Sequence, residues 1–127
     1  MLAAGMNREQ FSAMVAEALD DIPEEFQPYL ANVEVVVEDE PSAGLLRDLD
    51  MDPRHDTLFG LYEGIPVTER GDSPSGALPD RIVLFYRPLV HECRTPIALR
   101  REIRATVIHE IAHHFGLDDD AIEEEGY

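Results

Sequence analysis

Apolar positions along the chain fall into two long helical patterns with three strand-like runs between them. Asn7, with Gln10 three residues on, has the form of a helix N-cap pair. Phe11, Met14, Val15, Ala18 and Leu19 then recur at helical spacing, which predicts a first helix to about Asp20. Pro23 opens a short helical segment to Leu30 with acids in its first turn. NVEVVVE, Asn32 to Glu38, is β-branched and partly alternating, so it predicts a strand; TLFGLY, Thr57 to Tyr62, is a second candidate. RIVLFY, Arg81 to Tyr86, is apolar after its first residue, which predicts a strand covered on both faces and ended by Pro88. Thr95-Pro96 has the N-cap and first-position residues of another helix. Ile97, Leu99, Ile103, Val107, Ile108, Ile111, Ala112 and Phe115 give that helix a broad apolar face, and Gly116 is placed to end it as a left-handed cap.

The connections are polar. Asp39 to Arg54 is acidic, with Leu45, Leu46 and Leu49 positioned for one helical turn. Glu63 to Asp80 holds three glycines and three prolines and reads as a long loop or loose hairpin. A connection of that length in a small domain is either functional or a surface link. Asp118 to Glu125 predicts a short final helix with acids at its start. No internal repeat or low-complexity segment interrupts this order.

The 127 residues suit a single domain over 1–127, and 44% hydrophobic content is enough for a core. Residues 1–6 add no recognisable element and are expected to be flexible, with Met6 a candidate natural start. The formal net charge of −17 argues against nucleic acid and anionic membrane as partners, because both need basic residues to neutralise them. The lone Cys93 forms no internal disulfide and is expected to be a buried, inert thiol. MLAAGMNREQ lacks the basic-then-apolar order of a secretory signal, and no stretch is long enough to span a bilayer. The expectation is a cytoplasmic monomer.

Chemistry concentrates in TVIHEIAHHFGLDDD, Thr106 to Asp120. His109 and His113 are four apart, so on a helix they project about 40° from each other, one turn along the same face. Two imidazole nitrogens then stand where a single ion can bind both. Glu110 borders that face, about 60° from His113. This is the HExxH arrangement: two histidines to hold zinc and a glutamate to take a proton from the attacking water. A catalytic zinc needs a third protein ligand and one open position. The full run reads H-E-x-x-H-x-x-G-x-x-D; Gly116 can turn the chain back, and Asp119 then stands at the third-ligand position of the extended motif. Asp118, Asp120 and Glu124 are rivals for that place.

With this motif the chain resembles the small bacterial zincin-like metallopeptidases, or minimal zincins. FSAMVAEALDDIPEEF, NVEVVVEDEP, LFGLYEGIPVTERG and LPDRIVLFYRPL carry the resemblance over most of its length. The resemblance implies a compact α+β domain whose short mixed sheet packs against an N-terminal helix and the HExxH helix. It implies zinc held by His109, His113 and Asp119, Glu110 as catalytic base, and a peptide or protein substrate. In the larger metzincins a methionine turn follows the motif; here Met1, Met6, Met14 and Met51 all precede it, so the floor under the metal is built differently.

A peptidase also needs a donor for the developing oxyanion. Tyr62, Tyr86, Arg81, His91, His114 and Tyr127 are candidates by residue type, and strand or surface packing is the plainer reading for Tyr62, Tyr86 and His114. His55 and His91 are expected to be unrelated to the metal. Substrate pairing with an exposed sheet edge, from the Glu63–Asp80 loop or an adjacent strand, follows by fold analogy alone. The alternative to a peptidase is a zinc-binding domain without hydrolytic activity that acts as a partner-binding module.

Overall fold

The computed structural model describes residues 5–64 and 79–117. Helix α1 spans Arg8–Asp20 and begins with the expected capping box. The Asn7 side chain accepts the Gln10 N–H at 2.8 Å, and the Gln10 side chain accepts the Asn7 N–H at 2.9 Å, which satisfies two N-terminal donors reciprocally. Phe11, Val15 and Ala18 form its buried stripe.

Glu24–Leu30 is a 3-10 helix rather than an α-helix. Pro28 lies inside it and has no N–H to give an α-helical bond. The segment closes instead by three-residue turns, Phe26 N–H to the Pro23 carbonyl at 2.9 Å and Ala31 N–H to that of Pro28 at 3.4 Å.

Strand β1 is Val33–Glu38, helix α2 is Ala43–Asp48, strand β2 is Gly60–Glu63 and strand β3 is Asp80–Phe85. The helical turn expected around Leu45 and Leu46 is α2, capped by the Ser42 side chain on Leu45 N–H at 3.0 Å. The sheet order is β1–β3–β2, with β1 parallel and β2 antiparallel to the central strand. Ile82, Val83, Leu84 and Phe85 are all buried, as expected of a strand covered on both faces.

Pro88 does not simply stop that run. The strand ends at Phe85, and Tyr86–Glu92 forms helix α3. Pro88 sits in its first turn, where an N–H has no intrahelical partner, and Leu89 and Val90 bury the inner face.

Helix α4, Pro96–Phe115, has the predicted ends. The Thr95 hydroxyl accepts the Ala98 N–H at 3.1 Å. Gly116 takes φ 66° and ψ 37°, and the Leu117 N–H returns to the Ala112 carbonyl at 3.0 Å. Leu99, Ile103, Val107, Ile108, Ile111 and Ala112 join Phe11, Ala18, Ile82 and Leu84 in one core. Two residues expected on the apolar face differ. Ile97 is 78% exposed, because it projects about 120° away from Ile103. Phe115 is 44% exposed and leans on Tyr29 with ring centroids 5.1 Å apart.

Met6, at the start of the chain, is buried in that core, and its carbonyl accepts the Tyr86 hydroxyl. Arg100 pairs with Asp21 and Glu17, and Arg8 with Asp39. These links are largely exposed, so they contribute little beside the core. No helix among the described residues is long and apolar enough to cross a membrane.

The contact that positions everything downstream is between β2 and α4. A Cβ on Gly60 would stand 2.7 Å from Thr106 Cγ2, 3.1 Å from the Val83 carbonyl oxygen and 3.2 Å from Leu84 Cδ2. The strand therefore lies on the helix with no room for a side chain. Gly60→Val should lower unfolding free energy by about 1–3 kcal/mol through overpacking, measured by urea denaturation. Gly44→Ala, in α2 with only Ser42 Oγ nearby at 3.9 Å, should be neutral or slightly stabilising.

Candidate metal centre

One face of α4 carries the site. Glu102, Thr106, His109, Glu110 and His113 fall within an arc of about 100°. Together with Leu58, Phe59 and Gly60 they line a single cleft of about 210 Å³, room for an ion with several waters at about 30 Å³ each. The two histidines are exposed and Glu110 is half-buried. His113 Nδ1 lies 3.9 Å from Glu110 Oε2.

Glu110 is held from the sheet side. Its Oε1 accepts the Tyr62 backbone N–H at 2.8 Å. Tyr62 pairs across from Ile82, and the Phe85 N–H bonds the Phe59 carbonyl. Antiparallel alternation then points the polar backbone groups of residues 59, 61 and 63 toward β3 and those of 60 and 62 away from it. The outward Tyr62 N–H meets the Glu110 carboxylate, and Glu110 Oε2 is left on the His113 side. A backbone donor of this kind leaves no signature in the sequence.

Tyr62 turns its side chain elsewhere. Its hydroxyl donates to Asp80 Oδ2 at 2.7 Å, and its ring stacks on His114 with centroids 3.9 Å apart and planes 14° from parallel. His114 Nε2 is 3.9 Å from Asp80 Oδ2, and Phe115 meets His114 edge-on. His114 and Tyr62 thus pack against each other, the plainer of their two readings. Tyr86 and His91 line a different cleft with Glu40 and Arg87, and His55 is exposed beside Asp52. None of these lines the cleft of His109 and His113. Asp119, its rivals Asp118, Asp120 and Glu124, the expected final helix, Tyr127 and most of the Glu63–Asp80 loop lie outside the described residues. Among the described residues no three His, Cys, Asp or Glu side chains form a complete metal-holding group. The described part of the site therefore supplies two imidazoles and a flanking carboxylate, a donor set suited to zinc once a third ligand joins it.

A sequence profile of zincin-like metallopeptidases matches residues 30–127. The chain belongs to the zincin-like metallopeptidase family. The fold is shared with a solved structure, a conserved hypothetical protein from Thermo thermophilus. That match has a TM-score of 0.53 and 24% sequence identity, and covers 87% of this chain and 94% of the other. No curated protein matches the chain. Within this zincin-like domain the family segment begins at the end of the 3-10 helix and contains the sheet and α4; α1 lies before it and packs on α4.

Two side chains of the cleft, Glu102 and Thr106, are additions to the HExxH set. The spacing that would reveal them is i, i+4, i+7 and i+11 from Glu102 to His113, hidden because Glu102 sits among charged neighbours in LRREIR. Burial raises the Glu102 carboxyl pKa above its ordinary value of 4.5; His109 and a hydrogen bond with Thr106 oppose the rise, and Glu92 adds to it. The Cys93 thiol is pushed up to about 11, first by burial and then by Glu102 and Glu92, so it is the inert thiol expected.

A raised Glu102 pKa means that the folded state holds this proton more tightly than the unfolded chain. The group's contribution to stability is complete below pH 4.5 and falls as pH rises through the raised value. In metal-free protein, Glu102→Gln should remove that fall. Thermal melts from about pH 4 upward should show wild type losing ground to the variant as pH increases. Parallel curves would contradict the shift.

Proposed function

We propose that this zincin-like domain is a zinc-dependent peptidase in which His109, His113 and Asp119 hold the ion and Glu110 is the general base. The observation that supports the reading best is the position of Glu110. Its carboxylate borders both histidines in one cleft and is fixed by the N–H of Tyr62. A base must be oriented before it is useful, since proton transfer needs hydrogen-bond reach to the water it activates. With Oε1 engaged by the strand, Oε2 faces the cleft as the proton acceptor.

A zinc ion bound here would supply Lewis acidity, acidifying water and polarising the scissile carbonyl. The protein's own groups do the rest. Glu110 Oε2 takes the proton of the attacking water and can return it to the departing amine. Among the described residues β2 is the outer strand of the sheet beside the cleft, where an extended peptide can add to the sheet edge. Leu58 and Phe59 give the cleft wall apolar surface.

Metal content and hydrolysis separate the parts of this reading. Protein purified without chelator should carry about one zinc per chain, and His113→Ala should lose it. Glu110→Gln should keep the zinc and reduce cleavage of a peptide library by at least about 100-fold. A wild type that takes up zinc stoichiometrically but cleaves nothing would favour the binding-module alternative. A wild type that takes up no zinc would overturn both.

A further inference from the structure

We propose that Glu102 is a positioning residue for the metal centre: held by the Thr106 hydroxyl, it accepts the ring N–H of His109 that faces away from the ion. The proposal rests on the zinc reading above and adds to it a residue outside the HExxHxxGxxD motif.

The geometry comes from the helix. Glu102 and His109 are two turns apart and project within about 20° of each other. Their Cα atoms are separated by about 10.5 Å along the axis, and Thr106 lies between them on the same face. Helical side chains lean toward the N-terminus, so the His109 ring leans back over the turn that carries Thr106. The same lean alone would carry Glu102 away from His109, and it is the hydrogen bond with Thr106, one turn further on, that draws the glutamate toward the ring. All three residues line the cleft shared with Glu110 and His113.

The contacts agree with that placement. The Glu102 side chain is half-buried, is hydrogen-bonded to the Thr106 side chain and lies within electrostatic reach of the His109 imidazole. Glu92 and the Cys93 thiol are its other ionisable neighbours. Thr106 is buried, and its methyl is pinned by the Gly60 backbone, where even a Cβ would stand 2.7 Å away. Thr106 thus has little rotational choice, and its hydroxyl is a fixed donor for Glu102. A histidine ligand almost always gives its second ring N–H to a carboxylate, carbonyl or water, which fixes the tautomer and raises the basicity of the ligating nitrogen. Glu110 on the same face is engaged by the Tyr62 N–H and faces His113, which leaves Glu102 as the carboxylate on the N-terminal side of His109.

The test is zinc affinity by competition with a chromophoric chelator at constant pH, with the cobalt-substituted absorption spectrum recorded beside it. Glu102→Ala should weaken zinc about 10–100-fold while the cobalt bands keep their positions and intensity, because no ligand is lost. Glu102→Gln retains an acceptor oxygen and should weaken zinc less. Thr106→Val should weaken it as well, and Thr106→Ser, which keeps the hydroxyl but not the pinned methyl, should weaken it less. Nitrogen NMR of His109 in the zinc form should show a sharp single tautomer in wild type and a perturbed ring nitrogen in Glu102→Ala. If Glu102→Ala is poorly folded, the near-isosteric Gln and Val variants carry the test. Unchanged zinc affinity in these variants, with His113→Ala still abolishing binding, would overturn the role of Glu102 alone. Cobalt bands reporting a lost ligand would also overturn it, by making Glu102 a direct ligand. A wild type that binds no zinc would overturn the underlying reading together with the proposal.

Discussion

The contact between Gly60 and Thr106 is the constraint from which the site follows. Sheets and helices ordinarily keep a layer of side chains between them. Here one position of β2 has none, and the strand backbone comes down onto the helix. Two residues later the same strand directs the Tyr62 N–H at Glu110. Placing an outer strand within hydrogen-bond reach of a helix carboxylate takes a close crossing, and the glycine makes it possible.

Helix α4 has two roles along a single length. Its inner stripe, from Leu99 to Ala112, belongs to the core with α1 and β3. The adjacent stripe, from Glu102 to His113, lines the cleft. The two stripes share a rigid body, so packing of Leu99, Ile103 and Val107 far from the chemistry also sets where His109 and Glu110 stand. Stability and site geometry are therefore hard to change independently in this domain.

Much of this was legible in the sequence. The capping box at Asn7, the Thr95-Pro96 start and the Gly116 stop each act through bonds within a few residues, and local pattern captures such bonds well. The apolar run Ile82–Phe85 gave the central strand for the same reason. Pro88 misled because a proline both ends strands and opens helices, and the burial of Leu89 and Val90 decides between them. Ile97 was counted on the apolar face by hydrophobicity, whereas its angle places it outside. The His109, Glu110, His113 group was readable because one helix turn brings it together. The Tyr62 donor was not, because a backbone N–H from 48 positions away has no side-chain code.

The two imidazoles occupy unequal places on α4. His109 stands beside buried Ile108 and over the turn pinned by Gly60, whereas His113 is 79% exposed and lies in the last turn before the left-handed cap. Helix ends fray at little free-energy cost, while core turns open only with the whole domain. Under the zinc reading the two rings would therefore be held by different parts of the fold, His109 by the packed core and His113 by the last turn and its glycine cap.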